Sequence, residues 1–251
     1  MTGVVLYTGR WRSEKMQSLI HNHKKYLIQP FDLDVVTIGY KKNLCNIHED
    51  DFEHTVKRAW NIDLNRLKVK MVFAESDIIP RTSLQQLSAW KREQYLIYFH
   101  QFQHVQKALH IAYEWKQHSF YVRARIDVSF TSVPIFSIKD MAKNIVYATR
   151  KTSGWVQNRS IPIWRDWLYV SNQKGMACIS NVSSEPIFPK HVRCFGSCPE
   201  EQVYLQLKKC NYVTKEFDND LVLSKISKKK WCIRTKSDIA SSVKNLKSTF
   251  K

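Results

Sequence analysis

The stretch 3–39, GVVLYTGRWRSEKMQSLIHNHKKYLIQPFDLDVVTIG, decides the fold. It begins with Val4-Val5-Leu6-Tyr7, a short apolar, β-branched run bounded by Gly3 and Gly9, which reads as a buried strand. Ser13 can cap a helix, with Glu14 in its first turn. Met16, Leu19, Ile20, His23 and Leu27 recur at helical spacing, and Pro30 is expected to end that helix. Asp34 to Gly39 reads as a second strand. A strand, a helix and a second strand within about forty residues make a βαβ unit, so a parallel sheet is expected.

Outward from that unit, Leu67 to Phe73 is a third strand. The longest helical pattern runs from Ser83 to Lys116, with Phe99, Phe102, Val105, Leu109 and Ala112 on one apolar stripe. Ser119 to Val128 is expected to be a strand, and Ile138 to Lys143 a short helix. Strands follow at Ile145 to Ala148 and Trp167 to Ser171, then helices from Gln173 and over Pro199 to Lys209. The expectation is a single α/β domain over residues 1–223, with a mixed, mainly parallel sheet flanked by helices. A basic tail, residues 224–251, follows it.

Composition excludes several classes. Of 251 residues, 43% are apolar and 25% charged, as in soluble globular proteins. The 6 Gly and 7 Pro argue against collagen-like or Pro/Gly-rich disordered chains. No uncharged stretch approaches the ~20 apolar residues of a membrane span. Met1 to Tyr7 has no basic region ahead of its apolar run, so a secretory leader is not expected and the expected location is cytoplasmic. The six cysteines (Cys45, Cys178, Cys194, Cys198, Cys210, Cys232) are widely spread and form no CxxC pair. Buried free thiols are expected rather than a zinc centre on His191, Cys194 and Cys198.

The net charge of +18 attracts polyanions: nucleic acid, anionic membrane or phosphorylated small molecules. Residues 224–251 hold nine basic residues and one acid, Asp238. This tail is an anion-binding arm able to touch an anionic membrane, or a loosely held terminus.

The segment Arg123-Ala124-Arg125-Ile126-Asp127 carries the most unusual chemistry. Strand alternation puts Arg123, Arg125 and Asp127 on one face, with Val122, Ala124, Ile126 and Val128 on the other. Guanidinium forks suit phosphate oxygens, and an Asp at a strand's C-terminal end suits a divalent cation. In open α/β sheets ligands bind at those ends. An internal salt-bridge ladder or a solvent-facing edge strand explains the same spacing. The turn after the first strand, Thr8-Gly9-Arg10-Trp11-Arg12-Ser13, leads into a helix N-terminus and suits an anion. GxGxxG and GxxxxGK[ST] are both absent. His21-Asn22-His23 falls inside a predicted helix and does not make a nuclease motif.

In this order, the segments resemble a family. Gly3 to Ser13, followed by Asn22 to Phe31 and Asp34 to Thr37, is similar to the start of small GT-A-type glycosyltransferases of large DNA viruses and bacterial surface-glycan clusters. Tyr98-Phe99-His100-Gln101-Phe102 leading to Tyr121 to Asp127 resembles their next block, Arg165-Asp166 to Met176 a third, and Pro199-Glu200-Glu201 a last. The resemblance spans Gly3 to Asn211.

It implies a GT-A-like (Rossmann-like) fold and a nucleotide-sugar donor, UDP-linked by first choice. A glycan or glycoprotein would be the acceptor, in host cytoplasm if the source is viral. Thr8, Gly9, Arg10, Arg12 and Gln101 would line the donor, with Arg123, Arg125 and Asp127 at its diphosphate. Asp127 would carry Mn2+ or Mg2+. Arg125, however, stands where an Asp-x-Asp motif has its first acid, so the arginines are an alternative counter-charge. Asp166 is the first choice for the base of an inverting transfer, and Glu200 and Glu201 the second. An ion pair with Arg165, and helix N-terminal charge, are the competing roles of these acids. A basic nucleic-acid-binding protein without catalysis is the alternative function, resting on +18 and on aromatic residues interleaved with Lys and Arg.

Overall fold

The apolar run at the start forms β1 (Gly3–Thr8), buried along its whole length. In the computed structural model, residues 2–8, 11–40, 44–45, 48, 50–72, 89–150, 164–183, 199–218 and 223–225 are described. β2 (Trp11–Arg12) leads into α1 (Ser13–His23), a π-helical turn at Lys24–Ile28 and a short turn of helix at Gln29–Phe31. Pro30 does not end the helix. It stands in the first turn of that last segment, where its missing N–H costs nothing. The chain leaves helical geometry at Asp32, with φ of 50°.

β3 (Asp34–Tyr40), β4 (Leu44–Cys45), α2 (Phe52–Trp60) and β5 (Leu67–Val72) follow. α2 escaped the sequence reading. Phe52, Val56 and Trp60 recur every fourth residue and are fully buried. Next come α3 (Ala89–Trp115), β6 (Phe120–Arg125) and β7 (Val128–Phe130). The rest is a 3-10 turn at Ile138–Ala142, β8 (Ile145–Arg150), β9 (Trp164–Ser171), α4 (Gln173–Ser180), α5 (Pro199–Lys209), β10 (Val213–Lys215) and β11 (Leu223–Lys225).

Seven strands form one sheet in the order β10-β8-β9-β6-β1-β3-β5. β6, β1, β3 and β5 are parallel neighbours, as are β8 and β10; β9 runs against both β6 and β8. This is the mixed, largely parallel sheet the sequence implied. Val5, Tyr7, Val35, Val122 and Val170 face one way, onto Met16, Ile20, Phe52 and Trp60 of α1 and α2. Val4, Leu6, Val36, Tyr121 and Tyr169 face the other, onto Phe102, Val105 and Ala112 of α3 and Met176 and Val203 of α4 and α5. Each fully buried apolar side chain of this kind contributes roughly 1.5–3 kcal/mol. Among the described residues, no helix is long and apolar enough to cross a membrane.

Besides Pro30, two expectations need correction. The strand read over Ser119 to Val128 ends at Arg125, because Ile126 and Asp127 form a turn before β7 begins. Cys178 and Cys210 are not free thiols but a disulfide joining α4 to the end of α5. The side chains of Cys45, Cys194, Cys198 and Cys232 lie outside the described residues, as does His191. The expected boundary between 223 and 224 falls inside β11, which pairs antiparallel with β7 through Ser224 and Ser129.

Candidate active site

The chain steps from β1 to β3 to β5 in one direction, then returns through α3 to place β6 on the other side of β1. Helices of the first half cover one face, and α3 covers the opposite face. Such a reversal leaves a crevice between the C-terminal ends of the two central strands, the usual ligand position in open α/β sheets. Thr8 and Arg125 stand opposite each other at that edge. Ile126 N–H donates to Thr8 O at 3.2 Å, so the pairing continues one residue past the strand.

The turn that follows holds Asp127. Arg125 Nε and Nη2 donate to Asp127 Oδ1 and Oδ2, each at 2.8 Å. The pair is mostly buried: 15% of the Arg125 side chain and 6% of the Asp127 side chain is exposed. A planar guanidinium matched to both carboxylate oxygens is the strongest form of such a contact. Thr8 is 1% exposed, and its hydroxyl has no hydrogen-bond partner among the described residues. An unsatisfied buried hydroxyl costs free energy, which makes this edge a place for a polar ligand.

Arg123 sits deeper. It is fully buried, with its guanidinium 5.7 Å from the centre of the Tyr169 ring on β9. Alternation thus put Arg123 and Arg125 on the α3 face as expected, whereas Asp127 reaches Arg125 from the turn.

The remaining expected residues are placed only in part. Arg12 belongs to β2, with its side chain outside the described residues; Gly9 and Arg10 lie outside them altogether. Gln101 is half-buried on α3. Asp166 lies in β9, two residues before Leu168, the partner of Ala124 in β6. Its backbone therefore stands at the same edge as Arg125, while its side chain is outside the described residues. Glu200 and Glu201 begin α5, and their side chains are likewise outside.

Among the described residues, no three His, Cys, Asp or Glu side chains gather as metal ligands would. Both oxygens of Asp127 accept from Arg125. That donor set is an ion pair and does not by itself fit Mn2+ or Mg2+.

Two residues of the His21-Asn22-His23 segment, to which the sequence assigned no role at this edge, lie beneath the turn. His23 Nε2 lies 2.7 Å from Val128 O, and its Nδ1 lies 3.0 Å from the Tyr7 hydroxyl. Burial lowers the His23 pKa to about 4, against smaller upward effects of the Val128 carbonyl and the Asp127 charge. Neutral His23 thus donates from Nε2 to Val128 and accepts the Tyr7 O–H at Nδ1. Burial also pushes the Tyr7 pKa well up. Asn22 Nδ2 donates to Phe130 O at 2.9 Å, and Phe130 N–H donates to Asn22 Oδ1 at 2.8 Å. The sequence signals for these residues, helical periodicity and the His21-Asn22-His23 run, did not point to this contact.

No protein-family model matches the chain, and no curated protein matches it. Structure comparison matches 129 solved chains. One of them is GalNAc-T7, crystallised with UDP, GalNAc and Mn2+, at 10% sequence identity and a TM-score of 0.48. The match covers 90% of this chain and 44% of that one, so this chain spans less than half of the solved chain's length.

Proposed function

We propose that the chain is a glycosyltransferase. It would move a hexosyl or pentosyl group from a nucleotide-diphosphate sugar, a UDP-sugar by first choice, to a hydroxyl of a glycan or glycoprotein. The observation that carries this reading is the strand reversal at β1 and β6, with Thr8, Arg125 and Asp127 at its C-terminal edge. β1 and β6, which carry two of the ordered sequence blocks that resemble GT-A transferases, lie side by side at that edge.

In this reading Thr8, Gly9, Arg10 and Arg12 border the nucleotide, with Gln101 on the α3 side. Arg125, backed by Arg123, balances the charge that grows on the diphosphate as the anomeric C–O bond breaks. The leaving diphosphate keeps the bonding electron pair. The acceptor oxygen attacks the anomeric carbon from the opposite side, with inversion, and passes its proton to a carboxylate. Asp166 is the proposed base, with Glu200 or Glu201 next. No step is assigned to a metal.

A thermal-shift panel of nucleotide diphosphates and nucleotide sugars, with and without Mn2+, tests the reading on wild type and Asp127→Ala. Ligand at 100 times its dissociation constant adds about 2.7 kcal/mol of stability, which is readily seen. A shift with one nucleotide that ignores Mn2+ supports arginine as the counter-charge. A shift that needs Mn2+ and Asp127 supports a metal there. No shift with any donor, together with salt-sensitive retention of DNA or RNA on filters, would favour the nucleic-acid reading.

A further inference from the structure

The segment carrying Asp127 has little local structure of its own. β6 ends at Arg125, β7 is three residues long, and its strand partner is the equally short β11. Two-stranded ribbons of this length are marginal alone. What faces the other side of β7 is the last turn of α1. Ser129 pairs with Ser224 of β11, while Val128 and Phe130 bond to α1. Asn22 exchanges both an N–H and a C=O bond with Phe130, as a neighbouring strand would. His23 takes the Val128 carbonyl, one residue after Asp127, and is itself held by Tyr7 of β1.

Tyr7 and Thr8 are consecutive, so one strand end reaches the edge beside Arg125 through Thr8 and holds the start of β7 through Tyr7 and His23. His23 and Phe130 also meet edge to face, with ring centres 5.0 Å apart, as do Tyr7 and His23. The bonds join residues 105 and 108 positions apart in sequence, and no local preference of the segment 126–130 specifies them.

We propose that Asn22 and His23 are positioning residues for the donor site: by fixing the β7 backbone to α1 and β1, they set where the Arg125–Asp127 pair stands. This rests on the reading of that pair as part of a donor site. It also gives the His21-Asn22-His23 segment a role without nuclease chemistry.

The test uses the full chain, with UDP as probe. Amide hydrogen exchange is followed over 126–130 and over β1, in wild type, Asn22→Ala, His23→Ala and His23→Gln. A Gln amide can still donate to Val128 and accept from Tyr7. Val56→Ala on α2 serves as a control of similar lost stability. Expected is at least tenfold faster exchange over 126–130 in Asn22→Ala with β1 unchanged, and UDP binding weakened about tenfold, with both restored toward wild type in His23→Gln compared with His23→Ala. Asn22→Ala keeps the test alive if His23→Ala does not fold. Unchanged exchange over 126–130 overturns the clamp. UDP binding weakened equally by Val56→Ala and Asn22→Ala reduces it to general stability and leaves the donor reading standing. If wild type binds no nucleotide diphosphate while exchange still quickens, the donor reading fails, and the proposed role of the clamp fails with it.

Discussion

Arg125 and Asp127, two residues apart, are joined by two 2.8 Å hydrogen bonds across the end of β6, so each fixes the other at the crevice edge. Removing one partner of a largely buried pair leaves the other charge uncompensated. Asp127→Ala is expected to lower stability by about 3 kcal/mol. Replacing both, as Arg125→Met with Asp127→Leu, is expected to cost less than the sum of the single changes. Urea unfolding of the two single variants and the double variant measures this. Strict additivity would mean that the pair is not coupled.

At the far end of the sheet, Asp34 collects three cationic or basic groups. Arg66 Nε lies 3.3 Å from Oδ1, and Lys116 Nζ and His118 Nε2 each lie 3.1 Å from Oδ2. Asp34 opens β3 opposite Val4, so it stands away from the crevice beyond Thr8. Asp34→Ala is expected to destabilise by about 1–2 kcal/mol, since it leaves the buried His118 without this partner while the part-exposed Arg66 and Lys116 regain water. Nucleotide affinity, measured well below the melting temperature by calorimetry, should not change. A loss of affinity matching that of Asp127→Ala would place Asp34 in the site.

Much of this was legible in the sequence, and the limits have physical causes. Val4 to Tyr7, and Val35, Val36 and Ile38, are apolar because both faces of a central parallel strand are covered, and such runs stand out. α2 did not, because three buried residues among polar ones leave a weak signal over nine positions. Arg125 and Asp127 were found by residue type. The turn between them was not, since Ile126 and Val128 continue a strand-like alternation through it. His23, Asn22 and the Cys178–Cys210 pairing depend on contacts between distant segments, which spacing within one segment cannot reveal.

Cys178 and Cys210 close a loop with a sequence separation of 32 residues. In the chain-entropy account, a loop of that length adds about 3–4 kcal/mol by restricting the unfolded chain. Reduction with dithiothreitol, or Cys210→Ser, is therefore expected to lower the urea midpoint. The effect should be absent when reductant is added to Cys210→Ser. Such bonds are scarce where glutathione keeps thiols reduced, so the compartment bears on whether the bond forms. Alkylation and mass spectrometry of the protein as isolated should show Cys178 and Cys210 protected together. Two freely alkylated thiols in the folded, unreduced protein would rule the bond out.

His23 gives stability a pH dependence whose sign follows from its burial. Its pKa falls from 6.5 to about 4 on folding, because burial disfavours the imidazolium more than Val128 and Asp127 favour it. Between those values the unfolded chain binds a proton that the folded chain does not, so stability falls as pH falls from about 6.5 toward 4. The full change is roughly 3 kcal/mol. His118, also lowered by burial, adds to the same slope. Asp140 is held well below its ordinary 3.8 by Tyr147, Lys215 and Lys143, so its contribution is lost only at more acid pH. His23→Gln separates these effects, since an amide can keep the bonds to Val128 and Tyr7 but cannot titrate. Urea unfolding at intervals from pH 4.5 to 7.5 should show a shallower loss of stability in His23→Gln than in wild type. Equal slopes would mean that His23 does not carry the dependence, and that the group clamping β7 gains its proton as readily folded as unfolded.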